Sequence, residues 1–364
     1  MRRSRTHRRP LLAEFESRSP AILHWLQRRW PKRRNLSICN FGLPPTGGSS
    51  ETLFFDAIWT DKAGQHRERL VLRRDPADGG IFPLPTSSVA SGTELQFRVQ
   101  EALALSGEVP VPPLVGFEAD CAVLGRPFFL MEYVEGRIPA DTNLAVPGWY
   151  AGELSPGQRR DVFVSALGAL AALHGLDWRG RGLDALDASG FGSPSTAALL
   201  SVYRASLPRL LAGRAHPVLY RALDWLEQND PRDPRVGIIW GDARLGNMIF
   251  RDLRPVALMD WEGCVLGPTE ADIGWLLFID ELGTAENGGQ RLDGQPGPDE
   301  IVAEYTRLSG RQVTHPHYWQ IYTAMRLAHA YVRVVDRISS SGIVPPEMAT
   351  DNFATRYLLE SGIG

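Results

Sequence analysis

The chain has 364 residues, 43% hydrophobic and 22% charged, an ordinary globular mixture with length enough for two moderate lobes or one large domain. Its formal charge is only −3, so composition makes no general electrostatic case for a nucleic-acid or membrane partner. Cys39, Cys121 and Cys264 lie far apart, which argues against a disulfide framework or a cysteine zinc site and suits a reducing cytoplasm.

The opening MRRSRTHRRP is dense in arginine, but LLAEFESRSP then brings Glu14, Glu16 and Arg18 where a secretory signal needs an apolar run. Residues 1–19 therefore read as a disordered basic tail. No later stretch reaches the roughly 18–20 uninterrupted apolar residues of a membrane span, so a soluble protein is expected, which with the cysteine usage reads as cytoplasmic. PAILHWLQRRW (20–30) has helical periodicity, and FGLPPTGGSS (41–50) is a Gly/Pro-rich loop. ETLFFDAIW (51–59) and ERLVLRR (68–74) have strand character, and the intervening DKAGQ has the polar, glycine-containing chemistry of a hairpin connection. After a breaker-rich loop over 75–92, TELQFRVQEALALS (93–106) is helical, with Leu95, Val99, Ala102 and Leu103 on one face. EVPVPPLVGFE is extended because its prolines exclude helix, and RPFFLMEYVEG (126–136) reads as a buried strand entering a glycine turn.

From about residue 156 the character turns helical. SPGQRRDVFVSALGALAALHGL (155–176) is long and amphipathic, with Pro156 just inside its start, and further helices are expected near 196–212 and 217–228. Short apolar strands VGIIW (236–240) and VALMD (256–260), with NMIF (247–250) between them, interrupt the helices. The remainder is helical except for a polar loop over 283–300, and no internal repeat is present. This order predicts an α+β, bilobal architecture: a small β-rich N-lobe over 20–133 and a larger helical C-lobe over 134–364.

The strongest chemical signal is IIWGDARLGNMIFRDLRPVALMDWEG, residues 238–263. Asp242 and Asn247 are five apart in a turn-like loop after an apolar strand, and Asp260 ends a second one. Phosphoryl transfer needs such a set: a carboxylate to orient or deprotonate the acceptor hydroxyl, and oxygen ligands for Mg²⁺. A GDxxxxN match alone would be an ordinary surface turn, since Asp and Asn are common in turns. Asp260 at a strand end, with helices on both sides, moves the balance to catalysis.

These segments resemble the aminoglycoside phosphotransferase family, a group with the protein-kinase-like fold, and most of all its branch related to the acyl-CoA dehydrogenase 10 kinase domain. The resemblance runs from about residue 40 to 335 and implies ATP and Mg²⁺ as cofactors. It implies Asp242 as catalytic base, Arg244 as stabiliser of the transferring phosphate, and Asn247 and Asp260 as metal ligands. Trp240 departs from the histidine that family members often carry before GD. Arg73 in LVLRR occupies the place of the ATP-phosphate cation, usually lysine, while neighbouring Arg74 reads as a surface strand arginine. Lys32 and Lys62, the only lysines, stand elsewhere. Glu94 matches the partner carboxylate of that cation, with Glu101 two turns on as competitor. Gly47, Gly48 and Ser49 would form the tip of a phosphate-covering loop, which lacks the Walker spacing and so is not a P-loop. Backbone groups around Glu132, Tyr133 and Val134 would hold adenine, with Met131 bordering the base. His174 in LAALHGLD reads as structural, and Asp272 as a helix-start residue bracing the catalytic loop.

The expected activity is ATP-dependent phosphorylation of a hydroxyl on a small molecule, with no nucleic-acid or membrane partner. A kinase-like ATP-binding module without turnover is the alternative. His315 and His317 are spaced to opposite helix faces, which weakens a metallohydrolase reading. For a polycationic acceptor the sequence offers Asp280, Glu281, Glu286 and Asp293; for an apolar one it offers Trp261, Trp275, Tyr318, Trp319 and Tyr322, mostly expected in the core. The acceptor and the oligomeric state stay open.

Overall fold

The computed structural model describes residues 5–44, 50–86, 88–186, 191–232, 235–339 and 344–363. Its contacts divide the chain into two compact units. One comprises the described residues of Met1–Gly80 with Val89–Glu101 and Pro112–Val134; the other comprises Ile81–Ser88, Ala102–Val111 and the chain after Glu135. The excursion at 81–88 has a physical cause, because Phe82 is buried with the helical core of the second unit.

The first unit is built on a five-stranded antiparallel sheet in the order β1-β2-β3-β5-β4. Strands β2 (Glu51–Asp61) and β3 (Gly64–Arg74) pair without interruption from Glu51–Arg74 to Asp61–Gly64. Alternation drives this hairpin, since Leu53, Phe55, Ala57 and Trp59 point with Leu70 and Leu72 into one core. Asp61 closes its turn by accepting from the Ala63 N–H at 2.7 Å, and Gly64 takes φ +124°. β4 (Leu114–Glu118) and β5 (Phe128–Glu132) complete the expected strands, with α4 (Cys121–Leu124) between them. The loop after β3 leads into α3 (Gly92–Ser106), and α2 (Ser19–Arg29) covers the sheet through Ile22, Trp25 and Leu26.

Three features of this unit differ from expectation. β1 (Arg34–Gly42) is an added edge strand whose signal is weak because only Leu36 is buried and Asn35 and Asn40 break the pattern with positive φ. The presumed disordered tail contains α1 (Arg5–Ser17), because Phe15 is fully buried against the sheet. Arg74 is not a surface residue. Its buried guanidinium reaches Glu14 at 2.7 Å and Glu51 at 2.6 Å, and those two carboxylates are what make its burial tolerable.

The second unit is helical. α5 (Pro156–Gly175) starts with a capping box in which Ser155 and Gln158 satisfy each other's backbone N–H groups. α6 (Thr196–Leu211) and α7 (Pro217–Gln228) follow as expected. β6 (Val236–Ile239) pairs with β9 (Val265–Pro268), and β7 (Met248–Arg251) forms a hairpin with β8 (Arg254–Leu258) through Asp252 and Leu253, both at positive φ. α8 (Glu270–Glu286) runs into the expected loop, because helical Gly283 admits the Thr142 carbonyl oxygen 2.3 Å from where a Cβ would stand. α9 (Pro298–Ser309), α10 (Pro316–Ser339) and α11 (Phe353–Glu360) complete the unit. Trp275, Tyr318, Trp319 and Tyr322 lie together in one core cluster, and Trp261 is fully buried. Among the described residues no helix is long and apolar enough to cross a membrane.

Candidate active site

The two short strand pairs hold two turns against each other, 240–247 after β6 and 259–263 after β8. Gly241 has φ +86°, and a Cβ on it would lie 2.1 Å from the Gly263 carbonyl oxygen, so glycine alone allows the turns to touch. Behind Gly241 stands Asp272, fully buried, on the first turn of α8. Its carboxylate accepts from the backbone N–H groups of Trp240 at 2.6 Å and Gly241 at 2.8 Å. His174 Nε2 lies 3.0 Å from the same carboxylate, and His174 Nδ1 lies 2.7 Å from the Tyr305 hydroxyl. Bracing by Asp272 and a structural role for His174 are thus visible as one hydrogen-bonded line. Trp240 stacks near Trp261, with ring centroids 5.4 Å apart, and donates its indole N–H to the Met259 carbonyl at 2.9 Å.

Asp242 is buried at the front of this turn. Its Oδ1 accepts from the Trp275 indole N–H at 2.8 Å and its Oδ2 from Arg244 Nη2 at 2.9 Å. Arg244 also pairs with Asp141. Burial pushes the Asp242 carboxyl above its ordinary range; Arg244 opposes that rise and the Asp260 carboxylate adds to it. Burial works against the Arg244 charge, but Asp242 and Asp141 outweigh it and leave the guanidinium more firmly protonated.

Asn247 donates its amide N–H to the Asp242 carbonyl at 3.0 Å, which directs its side-chain oxygen elsewhere. The Asn247 carbonyl accepts from the Met259 N–H at 2.9 Å, bringing Asp260 beside it. Asp260 has φ 61° and ψ 66°, a left-handed conformation uncommon outside glycine and most accessible to Asn and Asp. Among the described residues no three His, Cys, Asp or Glu side chains could hold a metal together. An Asn oxygen and one carboxylate are the sparse hard-oxygen set that suits Mg²⁺, which keeps water and substrate phosphate as its other ligands.

The first unit carries the other expected residues. Arg73 is buried near the end of β3, paired across the sheet with Thr52 and Phe129. Glu94, on the first turn of α3, is engaged by Arg98 at 2.6 Å and by the Ala90 N–H at 2.8 Å, while Glu101 is exposed. The Glu132 N–H is taken by the Pro113 carbonyl at 2.8 Å and the Tyr133 N–H by the Arg69 carbonyl at 2.9 Å. The Val134 N–H makes no hydrogen bond among the described residues. Met131 is buried, and burial with the neighbouring Glu68 carboxylate raises the Glu132 carboxyl. Gly47, Gly48 and Ser49 lie outside the described residues.

Sequence reasoning missed Asp141 and the contact of Trp275, which share no local pattern with residue 242. It also passed over Arg326, a charge within the apolar face of α10, where a break in hydrophobic periodicity is a usable signal. Of the proposed acidic residues, Asp280 is buried and pairs with Arg291 at 2.5 Å, so its charge is already committed.

An antiparallel five-stranded sheet unit, a helical unit, and a braced Asp-x-Arg-x-x-Asn turn beside a strand-end aspartate define an α+β protein of the protein-kinase-like class. The chain belongs to the phosphotransferase enzyme family (APH), whose profile matches residues 49–310. It is 32% identical over 210 residues to mouse acyl-CoA dehydrogenase family member 10, a match covering 57% of this chain and 18% of that protein. It is 29% identical over 269 residues to human acyl-CoA dehydrogenase family member 11, covering 70% of this chain and 31% of that protein. The chain thus spans less than a third of those relatives. A crystal structure from Ralstonia eutropha JMP134, described as a candidate aminoglycoside phosphotransferase, superposes with TM-score 0.62 at 22% identity, covering 94% of this chain and 98% of that one. An amicoumacin kinase bound to AMP-PNP, Ca²⁺ and amicoumacin superposes with TM-score 0.55 at 12% identity, covering 96% of this chain and 95% of the other. These structural likenesses establish the fold.

Proposed function

We propose that the protein transfers the γ-phosphoryl group of ATP to a hydroxyl of a small molecule, with Mg²⁺ as cofactor and Asp242 as base. The observation that carries this reading is the Asp242 carboxylate, buried and held by Trp275 and Arg244, beside Asn247 and Asp260. A carboxylate raised by burial accepts a proton more readily than a surface aspartate, which suits it to take the acceptor's hydroxyl proton as the oxygen attacks phosphorus. Arg244, kept charged, supplies a cation two residues away for the oxygens of the transferring group. Asn247 and Asp260 are the residues that would hold Mg²⁺, which would supply positive charge to offset that of the phosphates. In the first unit, Arg73 would meet the α/β-phosphates, with Glu94 on the following helix as its partner. The Val134 N–H, together with the backbone of Glu132 and Tyr133, would meet adenine. The nucleotide- and cation-bound amicoumacin kinase on the same fold supports this choice of cofactors.

The acceptor is a hydroxylated small molecule whose class the family name does not set. The committed charge of Asp280 weakens the case for a polycationic aminoglycoside. ADP release by the purified protein with Mg²⁺ and ATP, screened over hydroxylated acceptors, tests the proposal. Acceptor-dependent release that falls about 10²–10⁴-fold in Asp242→Asn is expected. Nucleotide binding without turnover across the panel would favour a kinase-like binding module, and an unimpaired Asp242→Asn enzyme would remove the base assignment.

A further inference from the structure

Arg326, in the middle of α10, is only 3% exposed. No carboxylate among the described residues lies within ion-pair distance of it. Its Nε donates to the Tyr203 hydroxyl at 2.8 Å, and its Nη1 donates to the Gly241 carbonyl at 2.9 Å. The guanidinium carbon lies 4.8 Å from the ring centroids of both Trp275 and Phe82, and 5.7 Å from that of Tyr322. Gly263 leaves it room, since a Cβ there would stand 2.9 Å from Nη2.

A buried cation whose hydrogen bonds among the described residues go to a carbonyl and a phenol, with ring faces beside it and the Asp272 carboxylate acting from beyond ion-pair distance, is an expensive way to fill a core, and an apolar residue of similar volume often does so at no loss. What Arg326 touches gives that burial a use. Asp272 holds the Gly241 N–H, and Arg326 holds the carbonyl of the same residue, so both polar groups of the left-handed glycine preceding Asp242 are pinned. The indole on which Arg326 stacks is the one that donates to Asp242 Oδ1. One side chain therefore bears on the backbone entering Asp242 and on the hydrogen-bond donor that orients its carboxylate.

The geometry points to Arg326 as a positioning residue that sets the backbone and carboxylate of Asp242 through the Gly241 carbonyl and the Trp275 ring. This rests on the phosphotransferase reading only where turnover is concerned. The deciding measurement is hydrogen exchange of the 238–247 segment in the full chain, for wild type, Arg326→Met and Arg326→Lys. Arg326→Met should exchange about tenfold faster in that segment, while segments in β2 and β3 keep their protection. Arg326→Lys keeps a cation for the carbonyl but not the planar fork, and should recover part of the protection. With Mg²⁺, ATP and an acceptor that supports ADP release in the screen, Arg326→Met should lose about tenfold in kcat with little change in the KM for ATP. Unchanged exchange at 238–247 in Arg326→Met overturns the inference, as does a rise spread evenly over the chain, which marks a merely structural role. If wild type shows no turnover with any acceptor of the panel, the proposed function fails while the exchange result still decides the role of Arg326.

Discussion

Asp272→Asn is an isosteric change whose consequence follows from counting hydrogen atoms. Three groups meet the Asp272 carboxylate: the N–H of Trp240 and His174 Nε2 at Oδ2, and the N–H of Gly241 at Oδ1. Both backbone groups are fixed donors, whereas His174 can exchange its proton between ring nitrogens because its Nδ1 faces a Tyr305 hydroxyl able to donate or accept. An asparagine therefore satisfies histidine and one backbone N–H, but its amide nitrogen must face the other. Leaving one buried donor unmet costs about 1–3 kcal/mol, and weakening the remaining bond from charged to neutral adds about 1 kcal/mol more. A total of roughly 2–4 kcal/mol corresponds to a Tm lower by on the order of 5–10 °C for a unit of this size. Calorimetry reads the shift, and exchange at the 240 and 241 amides locates it. His174→Gln leaves both backbone donors satisfied and should lose less. A melting temperature within about 2 °C of wild type in Asp272→Asn, with unaltered exchange at those amides, would refute the bracing argument.

Gly241→Ala combines a positive φ with a Cβ 2.1 Å from the Gly263 carbonyl oxygen, so it should destabilise by at least about 2 kcal/mol and abolish turnover; urea unfolding and ADP release check both. Asp260→Ala should remove Mg²⁺-dependent nucleotide use, and retained Mg²⁺-dependent ADP release would contradict its proposed role. Because burial raises the Asp242 carboxyl, the acid limb of kcat/KM should lie above the ordinary aspartate range near 3.9. Arg244→Met removes the group opposing that rise, so the limb should move to still higher pH in a pH–rate profile. Glu14 shifts the other way, held below its ordinary range by the hydrogen bond from Arg74. Its stabilisation is present above the ordinary glutamate pKa and is lost as pH falls through the lower folded value. Wild type should therefore lose more melting temperature than Glu14→Gln on acidification below about pH 4.5.

The order of elements was legible in the sequence because it is written in short-range patterns. Strand character marked β2 and β3, an apolar run marked the buried β5, Pro156 marked the start of α5, and five-residue spacing marked Asp242 with Asn247. Asp260 was equally legible, since one hairpin carries it back to Asn247 through the Met259 N–H. Tertiary structure alone decided which distant groups answer these residues. Asp141 lies 103 positions from the Arg244 it pairs with, Trp275 lies 33 from Asp242, and Arg326 lies 85 from Gly241. The N-terminal segment makes the same point: its composition reads as a tail, and it becomes a helix because Phe15 finds the sheet core and Glu14 finds the buried Arg74. Propensity and periodicity depend on near neighbours, so they specify elements and their local chemistry. The partner of a buried charge depends on which elements pack together, and only the folded chain supplies that.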